Sequence, residues 1–352
     1  MAAKMQVTIM GGGIFGLALA HVCAARGARV EVRERRRIGA GASGGLVGAL
    51  APHTPENWTE PKALQLSALL MAGDFWAEVR ALGGVDPGYL RAGRVQPLAP
   101  DGIARARDRA TNAATLWQGR AKWEVRSAAD VPGLAVDSPG GLVIHDTLSA
   151  RLHPRRALQA LAAAIRARGG TILEGCAAPP APGTRHAVIQ ATGFEGLAAL
   201  ADAQGRAIGS GVKGQALLLR HAAPDSPQVF AGGLHIVPHA DGTVAIGATS
   251  ERDFDDAATT DAQCDALLAR AIAACPALAN APVIERWAGV RPRARSRNPV
   301  LGACPGRPGE FVFNGGFKTG FAMAPLLAGY MADLVLDGRD TIPESLRLSA
   351  LS

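Results

Sequence analysis

Three glycines and one glutamate near the start of the chain have the spacing of a dinucleotide site. Gly11, Gly13 and Gly16 follow a short apolar run rich in β-branched residues, and Glu34 comes after a second apolar run. The first glycine allows a tight turn, the second lets the backbone approach a pyrophosphate, and the third lets a helix pack closely on the strand. The start of that helix attracts phosphate. The pattern predicts a nucleotide site, and the alternative is an ordinary glycine turn.

The elements that would position this site follow in the order strand, helix, strand. We predict a strand at residues 6–10, a helix at 17–26 and a strand at 28–32. A tract of small residues at 39–52 offers free N–H groups to a second part of a long ligand, and its alternative is a flexible surface loop. A helix with regular apolar spacing is predicted at 65–82.

The remainder of the chain alternates between two kinds of structure. We predict strands at 89–98, 140–144, 171–174, 186–191, 214–220, 233–238, 243–247 and 310–313, and helices at 101–116, 155–168, 261–274 and 325–336. The consecutive strands between 214 and 247 indicate an antiparallel sheet. The sequence therefore predicts an α/β fold with a discontinuous Rossmann-type domain (1–82, 140–212 and 286–352). A second, mostly antiparallel α+β domain (83–139 and 213–285) is inserted into it.

Composition and charge restrict the class of protein. The 352 residues are 48% hydrophobic and 19% charged, which is typical of a globular protein with a large core. The formal net charge of +7 permits an anionic ligand or a nucleic acid. Basic residues interleaved with aromatic ones are not found, so a nucleic acid is the less favoured partner. The densest basic cluster, 33–37, faces either phosphate or solvent.

The cysteines and apolar segments do not indicate metals, disulfides or membranes. The five cysteines are far apart and form no CxxC pair, which predicts neither a disulfide framework nor a metal site. The glycines at 11–13 interrupt a segment that otherwise looks like a signal peptide, and no apolar run is as long as a membrane span. We expect a cytoplasmic protein.

A series of motifs resembles the D-amino-acid oxidase (DAO) family of FAD enzymes over nearly the whole chain, with glycine oxidase and sarcosine oxidase as the most similar members. The motifs are Gly11-x-Gly13-x-x-Gly16 with Glu34, Ala42-Ser43-Gly44 with Gly48, Ala191-Thr192-Gly193, Gly214-Gln215, Gly247-Ala248-Thr249 with Glu251, Trp287-x-Gly289-x-Arg291-Pro292 with Pro299 and Gly302, and the glycine segment at 315–320. Each motif alone is common, whereas their order is specific.

This resemblance implies that the nucleotide is FAD and that the Rossmann-type domain is an FAD-binding domain. The residues expected to bind FAD are Gly11, Gly13, Ile14, Phe15, Gly16, Glu34, Arg35, Ala42, Ser43, Gly44, Gly48, Ala49, Thr192, Gly193, Gly316, Phe317, Lys318, Thr319 and Gly320. Family members that bind the flavin covalently carry a cysteine just before the position of Arg291, where this chain has Gly289 and Val290. We therefore expect non-covalent FAD.

The resemblance also implies three catalytic residues. Arg291 would hold the substrate carboxylate, which suits a planar guanidinium; the alternative is an internal ion pair with Glu285 or Glu310. His235 stands where glycine oxidase-like enzymes carry a tyrosine, and either bonds a carboxylate, acts as a base, or is a neutral core residue. Lys318 either faces the flavin and favours its reaction with oxygen, or is solvated. His53 is a lesser candidate near the flavin and is more simply a structural residue.

The expected chemistry is oxidation of the C–N bond of a small amino acid or an N-substituted glycine. A hydride passes to flavin N5, and the imine then hydrolyses in water. Oxygen or another acceptor reoxidises the flavin. A first alternative is a flavoenzyme that processes the carboxymethylaminomethyl group of a tRNA wobble uridine, and a second is a non-catalytic FAD-binding protein. Substrate identity, electron acceptor and oligomeric state lie beyond the sequence.

Overall fold

The computed structural model of the protein describes residues 4–202 and 204–351. Its strands are β1 (Gln6–Met10), β2 (Arg29–Glu34), β3 (Ala49–Leu50), β4 (Arg94–Leu98), β5 (Trp123–Ser127), β6 (Leu142–Asp146), β7 (Ala150–Arg151), β8 (Thr171–Glu174), β9 (His186–Gln190), β10 (Gly209–Arg220), β11 (Gln228–Ala231), β12 (Leu234–Pro238), β13 (Thr243–Gly247), β14 (Val283–Ala294), β15 (Val300–Ala303) and β16 (Glu310–Asn314). Its α-helices are α1 (Ile14–Ala25), α2 (Glu60–Gly83), α3 (Ile103–Leu116), α4 (Pro154–Ala167), α5 (Gly193–Ala199), α6 (Gln263–Ala274) and α7 (Gly320–Asp337).

The first sheet carries the N-terminal glycine turn. Its strand order is β15-β16-β9-β1-β2-β8, and every neighbouring pair is parallel except β15 with β16. The central strand β1 buries Val7 and Ile9 completely. Helices α1 and α7 pack on each other, and Phe15 of α1 stacks on Phe313 of β16 with ring centroids 4.4 Å apart. Segments from the beginning, middle and end of the chain therefore meet at the carboxyl edge of one sheet, where open α/β sheets bind ligands.

The second sheet covers that edge. Its strand order is β14-β10-β13-β12-β11-β4-β6-β5, and only the pair of β11 with β4 is parallel. Strands β6, β10 and β14 belong to this sheet, although residues 142–146, 209–212 and 286–294 fall in the predicted Rossmann-type domain. The sequence pattern does not reveal the hydrogen-bonding partners that decide which sheet a strand joins. The division into domains stays a prediction, and at these three strands its boundaries do not follow the sheets.

Helix α7 starts earlier than we predicted. The prediction began at residue 325, but the helix begins at Gly320 and contains Pro325. By length and composition alone it is the one described helix that could cross a membrane, and half of it is buried inside the fold. Since α7 packs against α1 and α2, its place in the core accounts for its apolar composition. The cytoplasmic location remains a prediction.

Candidate active site

The glycine turn after β1 is packed too closely for side chains at two positions. A Cβ on Gly11, which has a φ of +116°, would lie 2.3 Å from the carbonyl oxygen of Ala191 on the neighbouring segment. A Cβ on Gly16 would lie 2.0 Å from the carbonyl oxygen of Gly11. The second contact is why α1 can start at Ile14, earlier than the predicted residue 17, with Gly16 inside its first turn. The turn therefore brings the N-terminus of α1 against the end of β1.

Glu34 lies at the end of β2 beside this turn. Its Oε2 atom accepts a hydrogen bond from the backbone N–H of Gly12 at 2.7 Å, and its Oε1 atom accepts one from the N–H of Arg36 at 2.8 Å. These two bonds hold the carboxylate in one orientation. The neighbouring basic cluster is partly neutralised, because Arg33 pairs with Glu31 at 2.6 Å and Arg35 pairs with Glu195. This pairing weakens the case for a nucleic-acid surface at residues 33–37.

The small-residue tract forms the next part of the site. The Ser43 hydroxyl accepts a hydrogen bond from the N–H of Ile14, the first residue of α1, at 3.0 Å. A Cβ on Gly44 would lie 1.9 Å from the carbonyl oxygen of Gly39, and one on Gly48 would lie 1.8 Å from that of Leu152. The tract is thus a tightly packed segment against the N-terminus of α1, which excludes the alternative of a flexible surface loop.

A cavity of about 930 Å³ is lined by residues of both sheets. Fifteen of the nineteen predicted FAD-binding residues line it, and they are Gly11, Gly13, Ile14, Phe15, Glu34, Arg35, Ala42, Ser43, Ala49, Thr192, Gly193, Gly316, Phe317, Lys318 and Gly320. Gly16, Gly44, Gly48 and Thr319 are outside its wall, and the first three are positions of close backbone packing. A wall with an oriented carboxylate, backbone N–H groups at a helix start and small side chains fits a long nucleotide with ribose and phosphate groups.

Arg291 lies on β14 at the part of the cavity that faces the second sheet. Its Nη2 atom donates to the carbonyl oxygens of Thr249 at 2.5 Å and Lys213 at 3.1 Å, which fixes the plane of the guanidinium. Its Nε atom is buried and has no hydrogen-bond partner among the described residues. Burial lowers the pKa of Arg291, and the nearby Glu251 carboxylate acts in the opposite direction. Arg291 as a whole is half-buried and lines the cavity, and the exposed part of its oriented guanidinium suits a carboxylate ligand.

The predicted internal partners of Arg291 are engaged elsewhere. Glu285 receives two hydrogen bonds from Arg155, at 2.9 and 2.6 Å, and Glu310 lies 3.6 Å from Arg307. In the described part of the chain, residues 4–202 and 204–351, neither of these carboxylates forms an ion pair with Arg291. The alternative of an internal ion pair with either residue was therefore wrong.

His235 lies on β12 and lines the same part of the cavity. Its Nδ1 atom is buried and has no partner among the described residues. Burial, with smaller contributions from Arg94 and Lys318, lowers its pKa to about 3. An imidazole with this pKa is neutral at physiological pH and is a poor general base there. Of the three predicted roles, the geometry favours hydrogen bonding to a ligand.

Lys318 precedes α7 and also lines the cavity, while its side chain remains partly exposed. Its Nζ atom lies 5.6 Å from the ring centroid of Phe317. Burial, followed by the charge of Arg291, lowers the pKa of this ammonium group. His53 is exposed like Lys318, but it is absent from the cavity wall. The structure therefore brings Arg291, His235 and Lys318 together and leaves His53 apart.

Sequence reasoning missed Phe230, which lines the cavity next to His235. The two residues are directly paired across β11 and β12, with ring centroids 4.7 Å apart. Gly232 and Gly233 join these strands and have φ values of +54° and +85°. A Gly-Gly pair between two apolar runs is a signal for a tight hairpin, and it would have predicted β11 and its contact with His235.

Comparisons with known proteins agree with this geometry. The model of a family described as FAD dependent oxidoreductase (DAO) matches residues 6–334. The chain is 30% identical to the glycine oxidase of Geobacillus kaustophilus, over 95% of this chain and 94% of that protein. It is also 30% identical to the bifunctional protein ThiO/ThiG of Synechocystis sp., over 96% of this chain and 52% of that protein, so it spans about half of that relative. Its fold matches the crystal structure of glycine oxidase from Bacillus cereus, with a TM-score of 0.79, 22% identity and 96% of both chains covered. The predicted fold class is confirmed.

Proposed function

Since the chain belongs to the DAO family of FAD-dependent oxidoreductases, we propose that it oxidises the C–N bond of a small amino acid or an N-substituted glycine. The predicted cofactor, non-covalent FAD, and the predicted class of enzyme are confirmed by this membership and by the glycine oxidase relative. The observation that carries the proposed substrate class is the oriented guanidinium of Arg291 on the cavity wall, which forms no ion pair with a carboxylate among the described residues.

The residues around the cavity divide into a part for the cofactor and a part for the substrate. Glu34, the glycine turn and Ser43 would hold the nucleotide half of FAD. When bound, FAD supplies an acceptor for the hydride from the substrate carbon. Arg291 would bind the substrate carboxylate through the part of its guanidinium that faces the cavity, while the carbonyls of Thr249 and Lys213 keep the guanidinium from rotating. A substrate fixed at its carboxylate presents its amine and α-carbon in one orientation, which lowers the entropic cost of reaction.

The charge of the site supports a substrate whose amine is neutral when it reacts. His235 is neutral because its pKa is lowered to about 3, so it can donate or accept a hydrogen bond without adding charge. Arg291 and Lys318 are the cations on this part of the wall, and both disfavour an ammonium group nearby. We expect oxidation to become faster as pH rises and the substrate amine loses its proton.

The test is reduction of the bound flavin without oxygen. Purified enzyme is mixed under nitrogen with glycine, sarcosine, several D-amino acids and carboxymethylated amines, and the flavin absorption is followed. We expect at least one amine to bleach the flavin. The variant Arg291→Ala should raise KM by roughly 100-fold or more, since it removes a charge-assisted contact, and Arg291→Lys should recover only part of this loss.

FAD content is the control for folding in both variants. An enzyme that binds FAD but is bleached by none of these amines would contradict the proposed reaction. An Arg291→Ala variant with unchanged kinetics would contradict the assignment of the carboxylate site. Oxygen consumption with the reduced enzyme then shows whether oxygen is the electron acceptor.

A further inference from the structure

Three cations surround the ring of Phe317, and two of them, Arg291 and Lys318, line the substrate part of the cavity. The Nζ atom of Lys318 lies 5.6 Å from the ring centroid, and the Cζ atoms of Arg291 and Arg293 lie 5.7 and 5.9 Å from it. An aromatic face attracts cations at such distances. Phe317 itself has a φ of +39°, an uncommon conformation for a residue with a side chain. Its N–H donates to the carbonyl oxygen of Pro292 at 3.1 Å, which ties it to β14 between the two arginines.

This cluster of Arg291, Arg293 and Lys318 has little negative charge to balance it. None of the ion pairs within residues 4–202 and 204–351 includes any of the three. The nearest acidic influence is Glu251, which raises the pKa of Arg291 but also lies 3.9 Å from Lys213. The single carboxylate of Glu251 is therefore shared between Arg291 and Lys213.

Two arginines in neighbouring parts of the site, in contrast, form ion pairs. Arg94, close to His235, forms a buried pair with Asp146 at 3.0 Å, and Arg35 on the cofactor wall pairs with Glu195. The start of α7 lies directly after Lys318, and a helix N-terminus adds further positive potential. Among the described residues, the cations of the Phe317 cluster are therefore unpaired at the part of the cavity where the substrate carboxylate is proposed to bind. A substrate with one carboxylate and a neutral amine would neutralise only Arg291.

We propose that the substrate carries a second acidic group, which binds at Lys318 beside the carboxylate held by Arg291, with Arg293 adding to the attraction. The chemical class is an amine with two carboxylates. This inference rests on the proposed function and goes further, since it makes Lys318 a specificity-determining residue.

The experiment measures binding without turnover, so it is independent of whether an amine is oxidised. Methoxyacetate and diglycolate are ethers with the shapes of sarcosine and iminodiacetate, and they cannot be oxidised as amines. Each is titrated into the FAD-bound enzyme at constant ionic strength, and the shift of the flavin absorption bands gives its Kd. We expect the dianion to bind about 10-fold more tightly or better than the monoanion, the range of one charge-assisted contact.

Variants then assign the preference to Lys318. Lys318→Gln should reduce the ratio of the two affinities about 10-fold, Lys318→Arg should keep most of it, and Arg293→Gln should reduce it less than Lys318→Gln. Arg307→Gln removes the same charge from an exposed position before β16, away from the cavity wall, and should leave the ratio unchanged.

Three results would overturn the inference. They are an equal or weaker affinity for diglycolate in the unchanged enzyme, no spectral shift with either ether, and a Lys318→Gln variant in which both affinities fall by the same factor. The last result would mean that Lys318 acts on the first carboxylate or on the flavin. Failure of the proposed function looks different, because the ethers would bind with the expected ratio while no amine reduces the flavin.

Discussion

Arg155 holds Glu285 in a two-armed ion pair, with Nη1 to Oε2 at 2.9 Å and Nη2 to Oε1 at 2.6 Å. Its Nε atom also donates to the carbonyl oxygen of Gly44 at 2.8 Å. Arg155 therefore ties the start of α4 to both β14 and the small-residue tract, and Glu285 lies six residues before Arg291 on the same extended strand, beyond contact with it.

This relationship predicts that Glu285→Gln leaves substrate binding nearly unchanged. Both side chains of the pair are about one-third exposed, at 38% and 34%, and such pairs contribute about 0–1 kcal/mol to stability. We expect KM to stay within about 2-fold of the unchanged enzyme, as measured by flavin reduction under nitrogen. A rise in KM as large as that of Arg291→Ala would show that Glu285 acts on the substrate.

Gly16→Ala should disrupt both the fold and cofactor binding. The added methyl group would lie 2.0 Å from the carbonyl oxygen of Gly11, so α1 must move away from the turn. Overpacking of this kind costs about 1–3 kcal/mol. The readouts are thermal unfolding and the FAD content of the purified protein. Gly329→Ala in α7 is the matched control, since its Cβ has no neighbour within 4 Å, and it should stabilise the helix by up to about 1 kcal/mol. Equal effects of the two substitutions would contradict this packing argument.

Glu34→Gln should weaken FAD binding about 10-fold, because a carboxylate accepts ribose hydroxyls more strongly than an amide does. The variant keeps one oxygen that can accept the N–H of Gly12, so the fold of the turn should persist. Titration of the FAD-free protein gives the Kd. Glu31→Gln removes an acid from the same strand and is the control, because Glu31 pairs with Arg33 and is absent from the cavity wall. A similar loss of affinity in both variants would indicate a general effect of charge.

His239 should make the protein less stable in mild acid. It is 1% exposed, and burial, reinforced by His153, lowers its pKa to about 3. Between about pH 6.5 and 3 the unfolded chain binds a proton at this residue and the folded chain does not, so the free energy of unfolding falls as pH falls. The slope from one such histidine is about 1.4 kcal/mol per pH unit. Urea unfolding at pH 4.5–8 measures it, and His239→Gln should reduce the slope by this amount. Parallel curves for the two proteins would contradict the burial effect.

Local patterns predicted the regular elements well where side-chain periodicity decides them. The predicted bounds of β1, β8 and β13 coincide with the observed ones. The predicted starts of α1 and α7 were wrong for related reasons. Gly16 and Pro325 disfavour helix interiors by propensity, but close packing on Gly11 and on the helices around α7 outweighs that preference.

Long-range relationships account for what the sequence did not predict. β14 was recognised only as the motif around Trp287, because its glycines and proline hide the strand pattern; eleven of its twelve residues pair along β10. The motifs did predict that Arg291, His235 and Lys318 share a site. They could not predict that the Nη2 atom of Arg291 donates to two carbonyls and so orients the guanidinium, since this depends on how Lys213 and Thr249 pair across strands.

The strand order β16-β9-β1-β2 has a consequence for how the protein is made. A ribosome releases the N-terminal glycine turn first, together with Glu34, but β9 and β16 follow much later in the chain. The segment 315–320, which closes the wall around Phe317, is synthesised after all the described strands of both sheets. Domains commonly fold as they leave the ribosome. Here, however, the glycine turn is synthesised early and forms the complete cavity only together with segment 315–320, which is synthesised late. We therefore expect FAD to bind only after nearly the whole chain has been synthesised.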